Sequence, residues 1–465
     1  MTRLLQLRRA DLLADFAKTL SPAPLRDPKE LAAFYEPELN RVRGEDKVRR
    51  LKLALEQYHG SSYYKLFLYG HSGAGKSTEL TRLTESCAEL YRPVRFSALR
   101  EFDPSSVKAF DVLLIMMIKL SEQAALPEDK GGIGWQPPER LAQRIWEWFG
   151  DETKTLTTEM SAEAIAEAGL GLDSDSWWGK LFGVYARLKG EMKFASQRKN
   201  EVIEYRMNRL ADLLDLFNEF LAECNNELRK HERKEWLFLG EDFEKLINPA
   251  LPEELFIRYA NAFSMLDCHL IFTIPVGLAY SHSGQLPFAV ESIPDAPVYD
   301  GEHQRHEAGF AALAGMLARR VSPERFEKRQ MERLIVASGG YLRDLLSLVQ
   351  EAAYNALLRE PPGAAISAED VDGAVRKQRQ RIVLRLGEDP YSEEPESYDE
   401  KVKRLMAIYE RDPRSRAPDS VLYELLRARA VQEFNGEGRF GVAPLVVDIL
   451  KQQEVLESDA PGGSI

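Results

Sequence analysis

Residues Leu66–Leu80 read LFLYGHSGAGKSTEL, an apolar run followed by a glycine-rich turn that carries one lysine among hydroxyl residues. The next stretch, STELTRLTESCAEL, has helical periodicity. A short apolar run, a glycine turn and a periodic stretch predict strand, loop and helix in that order. Gly70, His71, Ser72, Gly73, Ala74, Gly75, Lys76 and Ser77 satisfy the pattern GxxxxGK[ST], and Thr78 follows. Each residue type has a physical reason. Glycines let the backbone wrap closely around an anion, and successive N–H groups and the helix N-terminus then bind it. Lys76 would reach the β and γ phosphates of a nucleotide, and Ser77 would offer its hydroxyl to a magnesium ion. His71 occupies a variable position of the pattern.

Working outward, four more segments read as buried strands: Pro93–Leu99, Trp236–Leu239, His269–Ile274 and Ala296–Tyr299. With Tyr64–Tyr69 they make five short apolar runs separated by helical stretches, which predicts a parallel, doubly wound α/β sheet. Roughly 135 residues lie between the second and third runs, where a simple crossover needs about a dozen. The filling is helical in pattern, so residues 131–232 are expected to project from the core (46–300) as an insertion. Within it Trp177 and Trp178, with Leu181, Phe182 and Tyr185, read as helix-packing core. Residues 1–45 form an N-terminal helical segment, its start resembling an amphipathic helix. Residues 301–385 read as a helical lid and 386–400 as an acidic, turn-rich linker. In 401–465 two helices precede an Asn-Gly turn between apolar alternations, which suggests a hairpin and a winged-helix-like domain.

The third strand runs into WLFLGEDFEKL, where Glu241 and Asp242 follow the apolar run. One acid is expected to join the magnesium shell and the other to polarise the attacking water. Gly240 stands where the simplest pattern would place the metal acid, which leaves the division of roles open. Thr273, near the end of the fourth strand, would orient water or merely bond the backbone. Arg343, in GGYLRDLL, would reach the phosphates from the lid or remain a solvated surface arginine.

Bulk properties exclude several classes. The chain has 465 residues and a net charge of −12, too long for one ordinary core and too acidic to coat nucleic acid nonspecifically. Its three cysteines, Cys87, Cys224 and Cys268, are widely spaced, against a disulfide framework or a cysteine zinc site. The longest apolar run, Val112–Ile118, is far too short to span a bilayer. These properties place the protein in the cytoplasm as an expectation. The seven histidines show no metal-ligand spacing.

The segments LYGHSGAGKSTELTRL, LFLGEDFEKL, HLIFTIP and GGYLRDLL, in that order, resemble the Orc/Cdc6-like and STAND branches of the AAA+ ATPases, over roughly residues 40–380. The resemblance implies a five-stranded P-loop core, a helical lid, Mg²⁺-dependent ATP hydrolysis and self-assembly. It places Glu241 on the magnesium acid, Asp242 on the water-activating acid, Thr273 on sensor 1 and Arg343 on sensor 2. Glu in place of Asp at the metal position would slow hydrolysis. Arg258, Arg319 and Arg320 are candidates for an arginine finger. Many STAND ATPases serve prokaryotic conflict systems, anti-phage defence among them. A molecular switch acting on a separately encoded protein effector, such as a nuclease, is therefore the expected function. The alternative is an Orc/Cdc6-like or transposition-type ATPase that loads on DNA. Residues 401–465 carry ten Lys+Arg and ten Asp+Glu, and that neutrality favours protein contacts over nucleic acid.

Overall fold

A computed structural model describes residues 7–154, 177–198, 200–300, 303–388, 395–434 and 439–456. Its centre is a five-stranded parallel sheet built from β1 (Lys65–Tyr69), β2 (Tyr91–Ser97), β3 (Glu235–Glu241), β4 (His269–Ile274) and β5 (Ala289–Ser292). The strand order is β2-β3-β4-β1-β5. One strand, β4, therefore separates the strand that feeds the glycine loop from the strand that ends in the acids. Every residue of β3 and β4 is buried, which is why these runs read as continuously apolar and not alternating.

The fifth strand corrects the sequence expectation. Ala296–Tyr299 is not a sheet strand; the chain pairs with β1 seven residues earlier, at Ala289–Ser292. Ala289 and its neighbours form a sheet edge of mixed polarity with a weak apolar signal. Ala296 and Val298 are buried in a different core, among the lid helices. Burial, not strand pairing, explains their apolar character.

Gly240 has a clear role. A Cβ there would lie 2.4 Å from a ring atom of Phe272 and 3.0 Å from one of Phe96, so both phenyl rings close over the strand where an acid had been sought. Gly240→Ala is expected to lower unfolding free energy by about 1–3 kcal/mol through overpacking, measurable by urea denaturation. An unchanged midpoint would count against this packing.

The N-terminal ends of the interior strands β3 and β4 are joined by a buried polar pair. The Tyr64 N–H donates to His269 Nδ1 (3.1 Å), and His269 Nε2 meets Glu235 Oε2 at 2.8 Å. Burial alone would raise the Glu235 pKa, but hydrogen bonds from His269 and Arg229 overcome it and hold the carboxyl at about 2, against an ordinary 4.5. A depressed folded-state pKa contributes stability that is full above pH 4.5 and is lost as pH falls toward 2. In Glu235→Gln, stability near neutrality should drop and the acid limb of the stability–pH curve between pH 4.5 and 2 should flatten.

Helices cover both faces. On one side α1 (Pro28–Phe34), α2 (Glu38–Val42), α3 (Lys47–Tyr58) and α4 (Lys76–Ser86) surround the glycine loop. On the other, α5 (Ala109–Ala125) packs on β2 and is buried nearly all round. That double covering explains the run Val112–Ile118, as expected of a helix apolar on every side. Next come α6 (Glu139–Lys154), α7 (Trp177–Met192) and α8 (Leu210–Glu232). They do not stand off from the sheet: α8 lies on β3 and α5, and α6 and α7 layer over them in one continuous core. Trp178 stacks on Phe182 (ring centroids 5.6 Å apart) and donates to the Trp135 carbonyl (3.0 Å). Leu181, Phe182 and Tyr185 are buried in the same core.

Helix α9 (Val276–Ser281) follows β4, and the segment expected as a lid holds α10 (Glu307–Ala318), α11 (Gln330–Ser338), α12 (Leu342–Leu358) and α13 (Ala368–Arg385). The C-terminal part contains α14 (Tyr398–Tyr409), α15 (Ser420–Ala428), the hairpin β6 (Val431–Phe434) and β7 (Arg439–Val442), and α16 (Pro444–Gln452). The expected Asn435-Gly436 turn, and residues 389–394 of the expected linker, lie outside the described residues. Lid, C-terminal helices and residues 10–20 share a single apolar core. Of the amphipathic helix expected at the start, residues 1–6 lie outside the described residues, and residues 7–19 hold only the 3-10 turn Leu13–Asp15 and one helical turn, Phe16–Thr19. No helix among the described residues is long and apolar enough to cross a membrane.

Candidate functional site

The glycine loop joins β1 to α4. Gly70 (φ +149°), Gly73 (φ +96°) and Gly75 (φ +108°) take conformations that L side chains rarely adopt. Two of them also face close neighbours. A Cβ at Gly70 would sit 2.3 Å from the Ile293 carbonyl oxygen, and one at Gly73 would sit 2.6 Å from Cβ of Arg343. The chain can therefore wrap tightly only with glycine at these points.

Lys76 is buried at the first turn of α4 and bends back over the loop. Its Nζ donates to the carbonyls of Gly70 (2.8 Å) and His71 (3.2 Å) and pairs with Glu244 Oε1 at 2.9 Å. The Thr273 hydroxyl, at the end of β4, donates to the other oxygen of Glu244 at 2.8 Å. Burial would raise the Glu244 pKa, but Lys76, Lys245 and the Thr273 hydroxyl outweigh it and hold the carboxyl below its ordinary range. An ionised carboxylate thus bridges the loop lysine and the threonine at the C-terminal edge of the sheet.

Glu244 was not among the residues singled out from sequence. The two acids that were lie close by but face elsewhere. Glu241 is buried at the end of β3, where Oε1 accepts from Arg26 (2.6 Å) and from Arg95 Nε (3.0 Å). Arg95 also donates to the Ser77 carbonyl (3.3 Å) and the Thr81 hydroxyl (3.0 Å), tying this corner to α4. Asp242, in the left-handed conformation (φ +68°), turns away from the loop: Ser97 donates to it at 2.5 Å and Lys245 pairs with its other oxygen. Burial opposes ionisation there too, yet Lys245 and Ser97 hold the Asp242 carboxyl below its ordinary range. That turn explains the outcome. A left-handed residue followed by the 3-10 turn Phe243–Lys245 rotates the chain so that the acid three positions after Glu241 meets Lys76. The available signal in sequence was only the third acid of the run E-D-F-E.

A magnesium ion fits the Glu241 corner on one test. Glu241 Oε2 is buried and has no hydrogen-bond partner, and Ser77 stands at the start of α4. Among the described residues no group of three or more His, Cys, Asp and Glu side chains could hold a metal. A cation here would need oxygens from a bound phosphate as well. Asp242 has both oxygens engaged and contributes no such free oxygen.

From the lid, Arg343 reaches the loop: its guanidinium donates to the Ser72 hydroxyl at 3.0 Å. Arg429, at the end of α15, pairs with Asp344 at 2.9 Å, so lid and C-terminal helices meet beside the loop. The finger candidates separate clearly. Arg320 is buried, donates to the Phe34 and Met316 carbonyls, and has its pKa drawn down by burial to about 10. Arg319 pairs with Glu36 at 2.9 Å, whereas Arg258 is exposed. His71 is fixed by Asp295 (2.6 Å) and lies edge-on to Tyr341.

Between loop, lid and N-terminal segment lies a cavity of about 100 Å³, lined on its apolar side by Leu25, Phe34, Leu39, Met316, Leu342 and Leu346. Arg43, buried, donates to the Ala74 carbonyl at 2.8 Å, and Tyr35 donates to Glu79 on α4 at 3.0 Å. The N-terminal segment is thus part of this site, which no sequence pattern indicated.

No protein-family model and no curated protein matches the sequence. Several solved structures are similar in chain path. The Orc1 protein of Aeropyrum pernix in complex with DNA is 13% identical, with TM-score 0.37 over 92% of this chain and 95% of that one. A Walker-type ATPase of Pyrococcus abyssi is 12% identical, with TM-score 0.44 over 93% and 99%. The Orc2 protein of Aeropyrum pernix, in ADPNP–ADP complexes, is 13% identical, with TM-score 0.41 over 90% and 96%.

Proposed function

We propose that this chain is a P-loop ATPase that binds and hydrolyses ATP with Mg²⁺ and uses the cycle as a conformational switch. The observation that carries the proposal is the convergence of Lys76, Glu244 and Thr273 at a glycine loop that opens a helix, at the C-terminal edge of a parallel sheet. Loop N–H groups and the start of α4 would receive the phosphates, and Lys76 would leave Glu244 to meet them. Ser77 and Glu241 would hold Mg²⁺, which neutralises phosphate charge when bound. Glu244, released from Lys76 and still oriented by Thr273, would polarise the attacking water. Arg343 would sense the phosphates from the lid.

The switch reading draws on the lid and C-terminal helices meeting beside the loop through Arg343 and Arg429. A change at the phosphates would bias that contact and so the placement of both elements. For the output we propose control of a separately encoded protein effector in a prokaryotic conflict system, with self-assembly of the chain. The balanced charge of residues 401–465 supports a protein partner over DNA. Two measurements test this. Purified protein should turn over ATP only with a divalent cation. Copurification from the native host, with wild type and Lys76→Ala, should recover a protein effector in a nucleotide-dependent manner. Recovery of origin or transposon DNA instead would establish the DNA-loading alternative.

A further inference from the structure

Residues Pro22–Arg26 cross the mouth of the glycine loop as a short strap. The strap is anchored at its C-terminal end by the start of α1, where Asp27 and Glu30 form a capping box. It touches the loop helix α4 once and the end of β3 once. The Leu25 N–H donates to the Thr78 hydroxyl at 3.2 Å, and Arg26 donates to the buried Glu241 carboxylate at 2.6 Å. The Arg26 side chain is 35% exposed whereas that of Glu241 is 2% exposed, so the arginine can leave for water while the acid stays.

The space beneath the strap is small. At about 100 Å³ the cavity falls short of the roughly 300–1,000 Å³ that ligand pockets occupy. Pro22, Ala23, Pro24 and Leu25 form one wall, and Gly73, Gly75, Lys76 and Ser77 another. The loop wall is fixed by the sheet and α4, so the walls that can yield are the strap and the helices that bring Met316, Leu342 and Leu346, and of these the strap alone bonds the buried Glu241.

We infer that Pro22–Arg26 is a gate over the phosphate loop, latched by Arg26 on the acid assigned to the metal corner, so that nucleotide enters only when this ion pair parts. The inference rests on the ATP-binding reading above and deepens it. In the covered state the positive charge facing Glu241 comes from the protein's own Arg26 together with Arg95. Opening leaves Arg95 in place, still bonded to Glu241 and to α4, so the carboxylate keeps its orientation. An N-terminal segment that must lift for every nucleotide also makes the outer surface near residues 22–26 sensitive to nucleotide state.

The test uses the full chain, with a fluorescent ATP analogue and Mg²⁺, and compares wild type, Arg26→Ala and Arg26→Lys. Unlatching raises the fraction of competent protein, and apparent affinity rises in the same proportion. Arg26→Ala should bind about tenfold more tightly and associate faster, while Arg26→Lys should stay close to wild type. Unchanged affinity in Arg26→Ala would overturn the gate, and weaker binding would make Arg26 a nucleotide ligand instead. Hydrogen exchange at the amides of Ala23, Leu25 and Arg26 without nucleotide supplies the independent readout. Exchange should quicken in Arg26→Ala, and unchanged exchange also overturns the inference. Should wild type bind no nucleotide while exchange still quickens, the ATP reading fails and the latch stands.

Discussion

Lys76→Ala is expected to abolish detectable nucleotide binding, with a loss of at least about 100-fold in affinity. The lysine opens the loop's helix and bends back over the loop carbonyls, and charge-assisted bonds to phosphate contribute roughly 1.5–3 kcal/mol each. The same substitution leaves Glu244 buried without its main cation, a loss that costs on the order of 3–5 kcal/mol of stability. A simple loss of binding would then be open to a folding explanation. The double variant Lys76→Ala/Glu244→Gln separates the two, because it removes the stranded charge. Its melting temperature should recover toward wild type while nucleotide binding stays absent. Recovery of binding along with stability would show that Lys76 acts only in the fold. The measurements are calorimetric titration with Mg²⁺-ATP and thermal unfolding of all four members of the cycle.

Glu244→Gln is expected to separate binding from hydrolysis. The carboxylate stands between Lys76 and Thr273, so once Lys76 moves to phosphate it is the acid left facing the loop. Loss of a positioned general base lowers turnover by about 10²–10⁴-fold. Affinity for ATP should hold or tighten, since the neutral amide competes less for Lys76. Asp242→Asn is the control with opposite expectation. Its carboxylate bonds Ser97 and Lys245, so that variant should alter local stability and leave turnover within a few fold. The reverse ranking of the two variants would return the water-polarising role to Asp242. Single-turnover hydrolysis with excess enzyme distinguishes these outcomes, since it reads chemistry apart from product release.

Both predictions concern groups whose relation to the loop was only partly legible in sequence. The loop itself was fully so. Gly70, Gly73 and Gly75 adopt the backbone conformations that the pattern requires, and Lys76 and Ser77 open the helix that follows. Thr273 lies at the end of β4 as expected, and Arg343 lies on the loop. Four of the five strands were placed to within a few residues, because strands buried on both faces must be apolar throughout. The fifth was misplaced, because an edge strand need not be apolar and a buried non-strand segment must be. Likewise, residues 131–232 read as a projection from their length and helical pattern, although α8 lies on β3 and α5, and the aromatic faces of α6 and α7 close over them.

What sequence alone determined is the glycine loop with its lysine and the class of sheet that carries it. Both follow from constraints acting within a few residues: glycine's access to positive φ, the lysine's distance from the turn, and the periodicity of burial. What only the tertiary structure decided is which acid meets Lys76, which cations hold Glu241, and what covers the loop. Glu244 reaches the lysine because a left-handed Asp242 rotates the turn. Arg26 reaches Glu241 across 215 positions of chain because a strap of prolines and a capped helix lay it there. Such contacts depend on side-chain direction and long-range packing, which no local pattern encodes.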